Sequence, residues 1–158
     1  MNSLQIDRLL SHIPGFVGVF PADKIPDIVH YPASFVVNTD KSGKPGTHWL
    51  GIFMPNEKTI EYFDTFGREP SGAIKEFVGQ YENKKINHVR LQASYEISCG
   101  PHVIYFLIQR SKGTDFGKII TSLASDDLRD VSVKLFSASL ASSIGASSHL
   151  HHKHLHSI

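Results

Sequence analysis

The sequence predicts an α+β fold in which a mixed or antiparallel sheet packs against a central helix beginning near Cys99. Three observations predict it. Two β-rich runs, THWLGIFM (residues 47–54) and TIEYF (residues 59–63), are separated by the turn-forming Pro55, Asn56, Glu57 and Lys58, the pattern of an antiparallel hairpin. The run GPHVIYFLIQ (residues 100–109) is apolar almost throughout, as a fully buried element must be. Its proline stands near the start, where a helix tolerates one. Finally, 158 residues amount to one domain, with 41% hydrophobic and 20% charged residues, a balance that excludes bulk disorder and a coiled coil.

The other elements follow in chain order. Leu4, Ile6, Leu9, Leu10 and Ile13 recur at three- and four-residue spacings, predicting a short amphipathic helix that ends at Pro14-Gly15. Phe16 to Phe20 is a brief apolar run, SFVVN (residues 34–38) reads as a strand, and Asp40 to Gly46 is a polar turn cluster. Ile74, Phe77, Val78 and Tyr81 have helical spacing. INHVRL (residues 86–91) alternates like a strand, and Ser125 is placed to cap a helix through Leu128, Val131 and Leu135. From Ser137 the chain turns Ser/Ala-rich and then His-rich, with five of the ten histidines in HLHHKHLHSI. The reading is therefore one domain over residues 1–140 and a flexible tail over 141–158. The tail histidines are irregularly spaced with no cysteine to close a site, so no metal site is expected there.

Charge and cysteine count narrow the function. Sixteen Lys and Arg against fifteen Asp and Glu leave a net charge of +1, too little excess for a dedicated nucleic-acid or membrane-surface binder. One cysteine excludes an intramolecular disulfide and a CxxC metal site. The N-terminal stretch lacks the apolar core of a secretory signal, and no run reaches the roughly 20 apolar residues of a membrane span. Secretion through a signal peptide is therefore not expected.

Four polar residues stand in an order that suggests chemistry. His48, followed by Trp49, lies in the first hairpin strand and Asp64 ends its partner, so imidazole and carboxylate can meet at one end of the hairpin. Gln92 follows the later strand, and Cys99 precedes Gly100 at the start of the buried helix. A thiol at a helix N-terminus, beside an imidazole, has its thiolate form favoured. The Cys99 backbone N–H and the Gln92 amide can serve as oxyanion donors, and Gly100 allows a substrate backbone to approach. Nucleophile, base, orienting acid and oxyanion donors for acyl transfer are all represented. Taken singly the signals are weak: a strand histidine or a turn aspartate is usually structural, and a lone buried cysteine is usually a small hydrophobe.

The strings FVVNTDKSGKPGTHWLGIF, IEYFDTFG and QASYEISCGPHVIYFL resemble the adenovirus-type cysteine proteases (adenain family), relatives of the SUMO- and Nedd8-processing proteases. The resemblance runs from about Phe16 to Ile108. It implies a papain-like core with Cys99 as nucleophile, His48 as general base, Asp64 orienting the imidazolium, Gln92 in the oxyanion hole and Trp49 shielding the His–Cys pair. Asp64 stands where many adenovirus enzymes have Glu. The implied activity is hydrolysis of peptide bonds near glycine-containing sites, maturing viral or virus-like capsid precursors. The alternatives are processing or deconjugation of a ubiquitin-like protein, and an inactive relative that only binds peptides. Adenovirus enzymes also use a disulfide-tethered peptide and viral DNA. Here the only thiol is the implied nucleophile, which excludes a disulfide-tethered peptide, and the near-neutral charge weakens the DNA analogy. No cofactor is expected, a nucleic-acid partner is implied by the resemblance alone, and the implied place is the nucleus or cytoplasm of a host cell or the virion. Lys84, Lys85, His88 and Arg90 read as solvated surface.

Overall fold

The computed structural model describes residues 1–39, 48–92 and 99–155, with side chains described to residue 145. The turn cluster Asp40 to Gly46, the Thr47 start of the first hairpin run and residues 93–98 lie outside the described residues.

A five-stranded mixed sheet runs in the order β1 (Phe16–Pro21), β2 (Ala33–Asn38), β3 (Trp49–Asn56), β4 (Thr59–Phe63) and β5 (Asn83–Ile86). The outer pairs, β1 with β2 and β4 with β5, are parallel, and the two inner pairings are antiparallel. Consecutive strand residues point to opposite faces, and here both faces are covered. Val36, Trp49, Phe53 and Phe63 enter one core with α1 (Ser3–Leu10), α3 (Cys99–Ser111), α4 (Phe116–Ser125) and α5 (Arg129–Leu155). Phe35, Val37, Leu50, Ile52, Met54, Ile60 and Tyr62 enter the other, with Ile74 and Val78 of α2 (Gly72–Gly79). Double coverage explains why the strands read as continuous apolar runs and not as alternating ones.

The helix α3 lies against β3. A Cβ at Gly51 would stand 3.3 Å from both Phe106 and Val103, so the absence of a side chain there sets how closely helix and sheet approach. Beside it Phe63 and Phe106 stack at 4.5 Å with an interplanar angle of 2°. His102, wholly buried in α3, pairs at 2.7 Å with Asp130 of α5. Burial prevails over that carboxylate and keeps the His102 pKa below its usual value.

Several expectations are corrected. Pairing of β5 with β4 stops at Ile86: the Asn87 N–H makes one last bond to the Tyr62 carbonyl while its side chain binds the Asp64 backbone, and 87–91 is not strand. Ser125 is the last residue of α4, a helix capped by Asp115 that was not anticipated. Leu128, Val131 and Leu135 are 67%, 53% and 65% exposed, so they are not the buried stripe of the last helix. That stripe is instead Val133, Ser137 and the partly buried Phe136, Leu140 and Ile144. Helix α5 runs from Arg129 through Leu155.

Candidate active site

Asp64 directly follows β4, and His48 directly precedes β3. The hairpin register (Gly51 opposite Phe63) carries both to the same end of the sheet. There His48 Nε2 and Asp64 Oδ1 are 2.7 Å apart, and both residues are buried. The remaining ring nitrogen, Nδ1, is left for the sulfur, and His48 and Cys99 are hydrogen-bonded to each other. Cys99 is the first residue of α3 and is 9% exposed. The backbone N–H groups of Trp49 and Gly100 also donate to its sulfur.

These contacts decide the charge state. Burial opposes ionisation of all three groups. For Asp64 it is outweighed by the His48 contact, the Phe66 N–H at 2.9 Å and Arg68 at 3.7 Å, and the carboxyl pKa falls below its usual value. For Cys99 it is outweighed by His48 and the two backbone donors, and the thiol pKa also falls. For His48, burial is overcome by the hydrogen bonds to Asp64 and Cys99 and by their charges, raising its pKa to about 9. Both shifts favour the thiolate–imidazolium form of the pair over the neutral one.

The four polar residues fall into two groups. His48, Asp64 and Cys99 form one chain of contacts. Gln92 is buried, and its Oε1 accepts a 2.7 Å hydrogen bond from the Thr65 hydroxyl. Two other expectations change. A Cβ at Gly100 would meet Met1 Sδ at 3.2 Å and Ile6 Cδ1 at 3.7 Å. The missing side chain thus accommodates α1 and does not open a path for substrate, while the Gly100 N–H serves the thiolate. The ring found against His48 is Phe66, at 4.7 Å and 32°. Trp49, buried in the core with Cys99, donates to the sulfur through its backbone. Phe66 is itself flanked by the Arg68 and Arg90 guanidiniums, 4.7 and 5.2 Å from its centroid.

Sequence reasoning missed Asn87 and Thr65. Asn87 Oδ1 accepts from the Asp64 N–H at 2.8 Å, and its Nδ2 donates to the Asp64 carbonyl at 2.6 Å and to the Val89 carbonyl at 3.2 Å. The Thr65 carbonyl accepts from the Leu91 and Gln92 N–H groups at 2.7 and 3.0 Å. The only hint of either in the sequence was that Thr65 adjoins Asp64 and that Asn87 interrupts an apolar alternation. Asn87→Ala strips Asp64 of two buried partners. It should cost about 2 kcal/mol of stability, checked by denaturant unfolding.

The anticipated basic surface is divided among separate partners. His88 pairs with Glu69 at 3.1 Å, and Arg90 Nε donates to the Gln92 carbonyl at 2.9 Å, leaving Lys84 and Lys85 exposed on β5. Among the described residues no cluster of three or more His, Cys, Asp or Glu is placed to hold a metal ion, and no helix is long and apolar enough to cross a membrane.

No family model matches the chain. In sequence it is 28% identical over 106 residues to Cysteine protease S273R of African swine fever virus, covering 58% of this chain. It is 30% identical over 115 residues to "Putative thiol protease R355" of Acanthamoeba polyphaga mimivirus, covering 65% of this chain. In other African swine fever virus isolates the first relative is named SUMO-1 cysteine protease S273R, at 27% identity. The chain spans 38% of the length of each of these relatives. The structure of ASFV pS273R protease matches 89% of this chain and 67% of that one, with TM-score 0.58 and 22% identity. The central domain of Lpg1148 from Legionella pneumophila matches 92% of this chain and 98% of that one, with TM-score 0.57 and 14% identity. The chain thus shares the fold of the ASFV pS273R protease, with a mixed sheet where a mixed or antiparallel one was expected.

Proposed function

We propose that this relative of viral cysteine proteases is itself a thiol endopeptidase. The observation that carries the reading is that one imidazole is bonded to both the Asp64 carboxylate and the Cys99 sulfur at the start of α3. The Cys99 thiolate attacks the scissile carbonyl carbon, and the carbonyl electrons move onto oxygen. The Cys99 N–H and the Gln92 amide stabilise that oxyanion. As the tetrahedral adduct collapses, the His48 imidazolium protonates the departing amine, leaving a thioester on Cys99. Neutral His48 then takes a proton from water as it attacks. Collapse of the second adduct releases the acid and restores the thiolate–imidazolium pair. Asp64 holds the ring in place and favours its charged form throughout.

The substrate is a polypeptide cleaved near glycine, read as a viral or virus-like capsid precursor. A second reading, processing of a ubiquitin-like protein, is favoured by the name SUMO-1 cysteine protease borne by relatives. Iodoacetamide should label Cys99 rapidly at neutral pH, with no labelling in Cys99→Ala. Absence of labelling in the wild type would support the inactive, peptide-binding alternative. Cleavage of short glycine-containing peptides, set beside cleavage of a ubiquitin-like fusion after Gly-Gly, separates the two substrate classes.

A further inference from the structure

We propose that Thr65 is a positioning residue for the oxyanion site: its hydroxyl, bonded to Gln92 Oε1, fixes which end of the Gln92 amide is offered to the reacting carbonyl. The inference rests on the reading of Gln92 as an oxyanion donor. A primary amide has a donor end and an acceptor end of nearly the same shape. Half a turn about its last bond replaces N–H by an oxygen that would repel the developing negative charge. A glutamine in this role therefore needs something that distinguishes the two ends.

In the structure the Thr65 hydroxyl, able to donate or accept, donates to Oε1, so the acceptor end of the amide is the one turned to Thr65. Thr65 is 0% exposed and Gln92 is 2% exposed. The Thr65 Oγ1 to Gln92 Oε1 distance is 2.7 Å, a well-formed O–H···O bond buried on both sides. The two residues are also tied through their backbones, because the Thr65 carbonyl accepts both the Leu91 and Gln92 N–H groups. The hydroxyl is thus carried on the backbone that anchors the glutamine. Thr65 in turn follows Asp64, whose backbone is clamped by Asn87. The acid of the triad and the oxyanion donor are consequently placed by one short, doubly bonded segment.

The test separates hydrolysis from simple alkylation of Cys99, since alkylation by iodoacetamide needs the thiolate but builds no oxyanion. Gln92→Ala should lower kcat by about 10²–10³-fold. Thr65→Val, close in shape but lacking the hydroxyl, should lower kcat by about tenfold with KM nearly unchanged, because the loss falls on the transition state. Thr65→Ser should restore most of the rate. Both Gln92→Ala and Thr65→Val should alkylate at the wild-type rate, and the double variant should be no slower than Gln92→Ala alone. Thr65→Ala is carried alongside in case valine prevents folding, and the same split between hydrolysis and alkylation is required of it. Wild-type hydrolysis in Thr65→Val with a slow Gln92→Ala overturns the role of Thr65 and leaves Gln92 standing. Wild-type hydrolysis in Gln92→Ala overturns the oxyanion reading itself. Equal losses of hydrolysis and alkylation in the Thr65 variants would mean a general distortion, and would also overturn the proposal.

Discussion

Replacing His48 with alanine should reduce peptide hydrolysis by about 10⁴-fold or more, as loss of a base that acts with its nucleophile as one unit does, and should change how Cys99 alkylation depends on pH. In the wild type the thiol ionises below its usual range because His48 outweighs the effect of burial. Alkylation should therefore be near its plateau at neutral pH. Without the imidazolium, burial is opposed only by the Trp49 and Gly100 N–H groups, and the profile should move upward toward or beyond the ordinary thiol range of about 8.5. Hydrolysis by the wild type should instead be bell-shaped. It falls on the acid side as the thiolate is protonated, and on the alkaline side as His48 loses its proton near pH 9. A plateau in alkylation that stays in place after His48→Ala would show that the imidazole does not activate the sulfur.

The second large effect concerns stability. Glu61 lies wholly buried in the middle of β4, and Arg110 of α3 meets it with two hydrogen bonds, Nε to Oε1 at 2.6 Å and Nη2 to Oε2 at 2.9 Å. The same guanidinium donates to the Thr114 carbonyl at 2.8 Å and lies 4.5 Å from the Phe53 ring centroid. Arg110→Met leaves a carboxylate in the core without its cation, and should cost about 3–5 kcal/mol. For a domain of this size that lowers Tm by roughly 10 °C. The paired change Glu61→Leu with Arg110→Met should recover most of the loss, because no charge is then left buried. Thermal unfolding of the single and double variants checks both statements, and a loss below about 1 kcal/mol in Arg110→Met would contradict them.

Most of the site could be read from the chain because its chemistry depends on residue type at element ends. His48 before β3, Asp64 after β4 and Cys99 opening α3 are places where strand alternation or an apolar run breaks off against a reactive side chain. The residues that hold the constellation were not legible. Asn87 and Thr65 act through backbone atoms of residues far away in sequence, and only the folded register brings those atoms within reach. The resemblance pointed to Trp49 as the ring beside the His–Cys pair, whereas Phe66, in the turn after Asp64, is the ring packed on the imidazole. The last helix was also misjudged. Its Leu and Val residues are conspicuous in sequence, but its buried line uses Val133, Ser137 and Ile144, a mixture with little apolar contrast.

The sulfur belongs to the helical layer and the imidazole to the sheet, so the gap across which the proton moves is an interlayer spacing. Gly51, lying beneath Val103 and Phe106, is the shim that sets it. A single methyl inserted at that seam would press on both side chains at 3.3 Å, a strain felt between the layer that carries the sulfur and the layer that carries the imidazole.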